Sequence, residues 1–184
     1  MDDRRRAVEF VSVVQAMPYA WPTPPDAASC RRNGVGSCTS KHALLAEELR
    51  AIGIESAPMF VLGPLVPPAL AEDPEIAPGA GLQEVHELLT VQTPWAGPLR
   101  VDVTWDPPLI VKGLPGTLDW DGAGDMLIAV GEGASCWVAP REALREAKEA
   151  LRRRLYRAGE RKVRDRVLAA MSRRFEEWRR AETA

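Results

Sequence analysis

The chain has 184 residues, and its 46% hydrophobic and 27% charged residues are ordinary for a globular protein large enough to bury a core. No apolar run approaches the roughly 18–20 residues that a membrane-spanning helix needs, and the charged N-terminus lacks a secretory hydrophobic region. With three cysteines and no signal, the composition favours a reducing cytoplasm and argues against a disulfide framework.

The net charge of −2 hides an uneven distribution. Residues 1–140 hold 9 Lys and Arg against 18 Asp and Glu, whereas residues 141–180 hold 15 against 7. A basic segment suits nucleic acid or an anionic membrane surface. Because its charges alternate with glutamates and aromatic residues are few, we expect a solvated helical surface that pairs with the acidic domain. Neither nucleic acid nor a membrane is the expected partner.

The N-terminal part of the chain predicts two helices separated by a long loop. Apolar residues at a spacing of three to four indicate a helix over residues 3–17. Pro18 and the prolines after it end this helix and predict a loop that continues through residues 30–36. A second helix is predicted over residues 38–51, closed by Gly53.

The middle of the chain predicts an antiparallel sheet. Strands are predicted at residues 56–62, 83–92, 99–105, 126–130 and 134–139. The loop over 63–81 is rich in proline and glycine, a composition typical of lids, binding edges or variable insertions. A second irregular stretch is predicted over 106–125.

The C-terminal part of the chain predicts two helices that begin at Pro140 and are separated at Gly159. Helices segregated from a run of antiparallel strands indicate an α+β domain. We therefore expect a core domain over residues 1–139 and a helical extension over residues 140–184 that packs on it.

Cys38, His86 and Asp102 are, in this order, the parts of a nucleophile, its base and the group that orients the base. Helical spacing places Cys38 at the N-terminal end of its helix, on the same apolar face as His42 and Leu45. Free amides and the helix dipole favour a thiolate there, and the Cys38 amide would donate to a developing oxyanion. An inert core cysteine is the alternative.

His86 and Asp102 lie on the two strands of a predicted hairpin. They share a face if the numbers of paired residues sum to an even value, whereas an odd register separates them. Asp102 would then accept from one ring nitrogen and leave the other for Cys38. Asp106 is a second candidate for the orienting carboxylate. A half-buried structural histidine is the alternative for His86.

Three segments of the chain carry a resemblance to a known family. Residues 36–45, GSCTSKHALL, followed by LRAIGI at 49–54, resemble the nucleophile helix of the transglutaminase-like superfamily. Residues 85–88, VHEL, resemble its histidine strand. Trp95 and the segment VDVT at 101–104 resemble the end of its core signature. The resemblance covers about residues 34–106.

This resemblance implies a papain-like α+β core, in which the nucleophile helix packs on an antiparallel sheet. It implies that Cys38 attacks an amide, His86 moves the proton and Asp102 holds the ring. The reaction would be acyl transfer through a thioester, ending in hydrolysis or in transfer to an amine. A peptide or amide substrate is the expected partner, and neither a cofactor nor a metal is expected.

Two positions depart from the family pattern. His42 stands where the family has a small residue, and Glu87 follows the histidine where the family often has an aromatic residue. His42 would pack beneath the site, perturb the thiol, or join Cys38 and His86 in a metal site. Three ligands without a Cys-x-x-Cys spacing make a weak metal signature.

The tryptophans Trp21, Trp95 and Trp105 are the candidate substrate-binding residues, with packing in the core or loops as their alternative. A side-chain oxyanion donor is expected upstream of the nucleophile, and Tyr19, Trp21 and Asn33 are the candidates.

Two other functions fit the sequence. One is a non-catalytic binding module on the same scaffold, which would use the 63–81 loop or the basic C-terminal helices to bind a protein or acidic partner. The other is arylamine acetyl transfer, which uses the same three residue types. The sequence indicates neither the substrate nor the oligomeric state.

Overall fold

The computed structural model describes residues 3–131, 135–140 and 142–182. The helices are α1 (Asp3–Ala16), α2 (Ala27–Asn33), α3 (Cys38–Ala51), α4 (Pro107–Val111), α5 (Leu144–Leu155) and α6 (Ala158–Glu182). The strands are β1 (Ser56–Pro64), β2 (Gln83–Thr93), β3 (Gly97–Val101) and β4 (Ser135–Val138). Two 3-10 turns, Pro68–Leu70 and Ala77–Gly79, lie in the loop between β1 and β2.

The four strands form one antiparallel sheet in the order β3-β2-β1-β4. Helices make up 47% of the structure and strands 18%, which confirms the predicted α+β class. Helix α3 packs against β2 and β1, and α5 packs against β2. Among the described residues, no helix combines the length and the apolar character needed to cross a bilayer.

Helix α3, which carries Cys38, begins and ends where the sequence predicts. Ser37 precedes α3 in extended backbone, and its N–H donates to the Ser40 hydroxyl at 3.0 Å, which satisfies one of the donors that a helix start leaves open. Gly53 follows the helix with a φ of 78°, a conformation that favours glycine. These local signals fix the position of Cys38 at the first turn.

The predicted loop over residues 30–36 is wrong in its first half, because α2 covers residues 27–33. The Asp26 side chain accepts a hydrogen bond from the Ser29 amide at 2.8 Å and caps the helix start. Gly34, with a φ of 63°, ends the helix in the left-handed conformation. The sequence does contain signals for this helix, because Asp26 is a preferred N-cap residue and Gly34 follows it by eight residues.

Two strand predictions need correction. Strand β3 ends at Val101, short of the predicted 99–105, because side chains rather than a neighbouring strand bind the next backbone groups. The Val103 amide donates to His42 at 3.1 Å, and the Thr104 carbonyl accepts from Lys41 at 3.0 Å. The segment 126–130 is not a strand, since only Met126 bonds to β3, at 2.9 Å from the Arg100 carbonyl.

The C-terminal helices differ from the prediction at their starts. Helix α5 begins at Leu144 and not at Pro140, and the break before α6 falls at Tyr156, whose hydroxyl donates to the Gln83 carbonyl on β2. Gly159 therefore lies inside α6. The predicted strand at 134–139 corresponds to β4. The described residues do not include residue 134 of that predicted strand. They also do not include residues 141, 183 and 184 of the predicted extension.

The buried side chains form three clusters. The first joins α1 and α3 to the β2–β3 hairpin. The second joins α4 and α6 to the loop that carries Tyr19 and to Trp105. In the third, α5 packs its apolar face, including Leu144 and Leu151, on Phe60 and Val85 of the sheet. Both C-terminal helices thus pack on residues of the first 139.

Candidate active site

Cys38 is the first residue of α3 and lines a cleft. Its side chain is half-buried, and the His86 ring, which lines the same cleft, lies close enough to lower the pKa of the thiol. The free amides at the helix start and the positive end of the helix dipole favour a thiolate at this position. The residue that the sequence singles out as nucleophile therefore meets the residue singled out as base.

His86 and Asp102 are also in direct contact. His86 Nε2 lies 2.7 Å from Asp102 Oδ2. Leu89 pairs with Val101 across the hairpin, so the numbers of paired residues sum to an even value, as the prediction required. Asp102 lies one residue beyond the last pair and diagonal to His86. Because Nε2 is bound to Asp102, Nδ1 is the ring nitrogen that remains for the thiol.

Asp102 is held by backbone donors as well as by His86. Its Oδ1 accepts from the Thr104 amide at 3.1 Å, and its Oδ2 accepts from the Ala129 amide at 2.8 Å. Burial alone would raise the pKa of Asp102, but the charge and the hydrogen bond of His86 hold it well below the usual range. The carboxylate is thus ionised and fixed in orientation.

The ionisation of Cys38 and His86 follows from this geometry. Burial alone would raise the pKa of the Cys38 thiol, but the Lys148 charge and the His86 hydrogen bond lower it to about 6. Burial alone would lower the pKa of His86, but the Asp102 charge and hydrogen bond, with the Cys38 thiolate, raise it to about 10. Between these two values the pair is a thiolate and an imidazolium.

A lysine from the C-terminal helices reaches the thiol. Lys148 of α5 is buried, and its Nζ lies 3.6 Å from Cys38 Sγ, 2.7 Å from Thr39 Oγ1 and 3.3 Å from Glu87 Oε2. Glu87 is buried too, and its charge opposes the effect of the lysine on the thiol. The predicted extension therefore supplies a positive charge at the candidate nucleophile.

His42 holds the nucleophile helix to the segment that carries Asp102. Its Nδ1 lies 2.7 Å from the Cys38 carbonyl, and its Nε2 accepts from the Val103 amide at 3.1 Å. Burial lowers the pKa of His42 to about 4, so the ring is neutral and Nδ1 carries the proton. Since both nitrogens are bound to the backbone, the ring packs beneath the site and does not offer a metal ligand.

Asp106, the second candidate for the orienting carboxylate, serves another contact. Its Oδ1 accepts from the Tyr19 amide at 2.9 Å, and both of its oxygens lie 2.7 Å from guanidinium nitrogens of Arg179. This buried pair binds α6 to the start of α4. Asp102 alone of the two aspartates contacts His86.

The cleft beside the thiol has a volume of about 150 Å³. Both Cys38 and His86 line it, as do two of the three predicted substrate-binding tryptophans, Trp21 and Trp105. Trp95 does not line it, because its ring packs against the α1–α3 cluster and its Nε1 donates to the Gly122 carbonyl at 2.7 Å. The remaining lining residues are Tyr19, Thr23, Pro25, Ser37, Thr39, Pro64, Leu65, Pro67, Glu84, Thr104, Ala129, Val130, Arg152, Arg164, Leu168 and Met171.

Two of the three candidate oxyanion donors, Tyr19 and Trp21, line this cleft, and Asn33 does not. Burial, followed by the charge of Cys38, raises the pKa of Tyr19, which keeps its hydroxyl protonated and able to donate. The Tyr19 ring is held edge-on against Trp105, with ring centroids 4.7 Å apart. Tyr19 and Trp21 therefore both remain candidate donors.

Thr104 gives the cleft an unused hydrogen-bonding group. Its side chain is 2% exposed, and its Oγ1 has no hydrogen-bond partner within the described part of the chain. The segment is fixed by Lys41, a fully buried lysine whose Nζ donates to the carbonyls of Thr104, Gln15 and Met17 at 2.8–3.0 Å. A buried hydroxyl left unpaired destabilises a protein by about 1–3 kcal/mol. A substrate group that formed a hydrogen bond with Thr104 would remove this cost and so bind more tightly.

Among residues 3–131, 135–140 and 142–182, no group of three or more His, Cys, Asp or Glu side chains is arranged to bind a metal ion. Comparisons of the chain with protein-family models, with curated proteins and with solved structures returned no match.

Sequence reasoning missed the buried charges around the triad. Lys148 and Arg164 belong to the basic segment, for which the sequence predicts a solvated surface. Lys41 belongs to α3, where the prediction used only the spacing of apolar residues. The high positive charge of residues 141–180 opposite an acidic domain was the available signal. It indicated pairing between the two parts, but not which residues pair.

Proposed function

We propose that the chain is a cysteine-dependent enzyme that transfers an acyl group from an amide, with Cys38, His86 and Asp102 as its triad. One observation carries the proposal: the imidazole is hydrogen-bonded to the carboxylate and lies beside the thiol on the same cleft. The same arrangement supports a transglutaminase-like assignment with a papain-like core, as the sequence resemblance implies.

The proposed reaction has two halves. The Cys38 thiolate attacks the amide carbonyl carbon, and the carbonyl electron pair moves to oxygen, which the Tyr19 hydroxyl and the Cys38 amide would stabilise. The electron pair then returns, the carbon–nitrogen bond breaks, and the imidazolium of His86 gives its proton to the leaving amine. A thioester on Cys38 remains.

Neutral His86 then serves as general base. It takes a proton from water or from an incoming amine, which attacks the thioester carbon. Breaking the carbon–sulfur bond releases a carboxylic acid or a new amide and restores the Cys38 thiolate beside protonated His86. Asp102 stays ionised and keeps the ring in position throughout.

The site favours this proposal over a non-catalytic binding module. A binding module needs no contact between the thiol and the imidazole, and no perturbed ionisation of either. Here the His86 ring is hydrogen-bonded to Asp102, and its proximity, with the Lys148 charge, lowers the pKa of Cys38 to about 6. Perturbed ionisation of groups that share a cleft is a common mark of catalytic sites.

Alkylation by iodoacetamide tests the activated nucleophile. We expect Cys38 in the wild-type protein to react fast at pH 7, and His86→Ala to react about 100-fold more slowly as the thiolate fraction falls. Peptide mapping should place the label on Cys38, with Cys38→Ser as the control for Cys30 and Cys136. Equal labelling of wild type and His86→Ala at the rate of a free thiol would contradict the proposal.

A further inference from the structure

In the cleft beside Cys38, positively charged side chains outnumber the carboxylates that pair with them. Arg152 of α5 and Arg164 of α6 both line the cleft, and both bind the same carboxylate, Glu84 of β2. Arg152 donates from Nε and Nη2 to Glu84 Oε1 at 2.9 and 2.7 Å, and Arg164 donates from Nε to Glu84 Oε2. Two guanidinium groups therefore share one carboxylate.

Glu84 is ionised in this arrangement. Burial alone would raise its pKa, but the charges of Arg152 and Arg164 lower it. Among the described residues, the one other carboxylate bound to these arginines is Asp165, which pairs with Arg164 Nη1 at 2.7 Å, is 46% exposed and does not line the cleft. The cleft is thus lined by two arginine cations and one glutamate anion. The Cys38 thiolate and the His86 imidazolium add one charge of each sign and cancel.

Arg152 keeps a donor that no described residue occupies. Its Nη1 makes no hydrogen bond to any residue of the described ranges. Arg164 is also fixed in place, because its guanidinium lies 6.0 Å from the Trp21 ring centroid and 5.9 Å from that of Tyr156. Fixed guanidinium groups with open edges suit carboxylate recognition.

A second, independent feature marks the same cleft as built for a polar ligand. Thr104 is 2% exposed, lines the cleft, and leaves its hydroxyl without a partner in the described residues. Natural proteins rarely leave a buried hydroxyl unpaired, so such a group in a binding cleft points to a ligand.

We propose that Arg152 and Arg164 form a subsite for a carboxylate of the substrate, so that the enzyme acts on amides that bear an acidic group close to the scissile bond. The reaction at Cys38 rests on the proposed function, whereas the binding of a carboxylate by the two arginines does not depend on it. The C-terminal helices would then select the substrate, while α3 and the hairpin carry out the reaction.

Paired alkylating probes test the subsite. N-iodoacetyl-glycine carries a carboxylate, and N-iodoacetyl-glycinamide is its neutral match; the β-alanine pair extends the reach by one methylene. We expect the carboxylate probe to alkylate wild-type Cys38 about 10-fold faster than its carboxamide, as for a charge-assisted hydrogen bond. Its rate should also saturate with concentration.

Variants separate this subsite from the attraction of His86 for anions. Arg152→Gln should lower the carboxylate-to-carboxamide rate ratio several-fold, and Arg152→Lys should restore part of it. In Arg152→Gln the Glu84 carboxylate keeps Arg164 as its partner. The matched control is Arg161→Gln, which removes an exposed pair with Glu149, at 2.8 Å, outside the cleft.

The outcomes distinguish the two proposals. Equal ratios in the wild type and Arg152→Gln, or a rate for the carboxylate probe that stays linear in concentration, would overturn the subsite. Slow labelling of Cys38 by every probe would contradict the proposed function instead, and the ratio of the two rates would still report on the subsite. If Arg152→Gln does not fold, saturation in the wild-type protein decides.

Discussion

The two sides of the cleft differ in origin and in charge. The nucleophile side consists of α3, β2 and the end of β3, and it carries Cys38 beside the hydrogen-bonded pair of His86 and Asp102. The C-terminal side consists of α5 and α6, and it supplies the cations Lys148, Arg152 and Arg164. Reactive groups thus come from one part of the chain and the surrounding charge from the other. A division at residue 139 would separate the triad from the cations beside it.

The two histidines show the same contrast within the nucleophile side. Both lie near Asp102, yet the pKa of His86 is raised to about 10 and that of His42 is lowered to about 4. Burial disfavours the charged form of each ring. His86 points a nitrogen at the carboxylate, whereas His42 Nε2 accepts from the Val103 amide and would lose that bond on protonation. In the proposed mechanism His86 moves the proton, whereas His42 positions the helix.

Removing the charge of Asp102 should have the largest effect on the nucleophile side. In Asp102→Asn, His86 loses the carboxylate that raises its pKa, and the thiolate loses its cationic partner. We expect Cys38 alkylation at pH 7 to slow by about 10²-fold or more, the scale of a lost acid–base partner. Asp106→Asn is the matched variant; it breaks the pair with Arg179 and should change stability more than alkylation. Equal alkylation rates in the two variants would contradict the assigned triad.

Removing Lys148 tests whether the C-terminal side controls the nucleophile. The pH dependence of wild-type alkylation should have its midpoint near the Cys38 pKa of about 6. Lys148→Met should move this midpoint upward by about one pH unit, since a nearby cation is lost. Glu87→Gln should move it downward, because the charge of Glu87 raises the pKa of the thiol.

The opposite directions of these two shifts separate an electrostatic role from a structural one. A lysine that served only to bind α5 to β2 would leave the midpoint in place in both variants. The double variant Glu87→Gln/Lys148→Met removes the buried pair without leaving one charge alone, so it should fold and give an intermediate midpoint. Lys112→Met, at an exposed lysine, is the control and should match the wild type.

The same contrast explains what the sequence could predict. That Cys38, His86 and Asp102 lie close together could be predicted, because helix spacing and hairpin register act over short distances in the chain. The open questions about His42 and the basic segment depended on long-range packing. No local pattern tells that Lys148 reaches across 110 residues to Cys38, or that Trp95 packs away from the cleft. Side chains also replaced backbone pairing after Val101, which ended β3 early.

Replacing His42 with an apolar ring should reduce stability with a distinct pH dependence. His42→Phe leaves the Val103 amide buried without an acceptor, at a cost of about 1–3 kcal/mol in the free energy of unfolding at pH 7. The unfolded chain protonates His42 near pH 6.5, but the folded protein does so near pH 4. Wild-type stability from this group is therefore lost as pH falls through that window, whereas Phe does not titrate.

Urea unfolding of both proteins between pH 7 and pH 4 measures this difference. The deficit of His42→Phe should shrink by up to about 3 kcal/mol as the pH falls, following the linkage between protonation and stability. Asp102 does not interfere, because its lowered pKa places its own contribution at more acidic pH. A deficit that stayed constant would mean that His42 is protonated in the folded state.

The smallest effect is expected at Thr104, a lining residue of the cleft, and the sign of that effect is informative. Thr104→Val keeps the side-chain shape and removes an unpartnered buried hydroxyl, so the free energy of unfolding should stay equal or rise by about 1 kcal/mol. Binding should change in the opposite direction, with the concentration for half-saturation by N-iodoacetyl-glycine about 3- to 10-fold higher. A hydroxyl that merely tolerates burial would give a more stable variant that binds the probe as well as the wild type does. If the Thr104 hydroxyl serves a ligand, Thr104→Val should be more stable than the wild type but bind the probe less well. In that case the wild-type threonine lowers stability and improves recognition of the ligand.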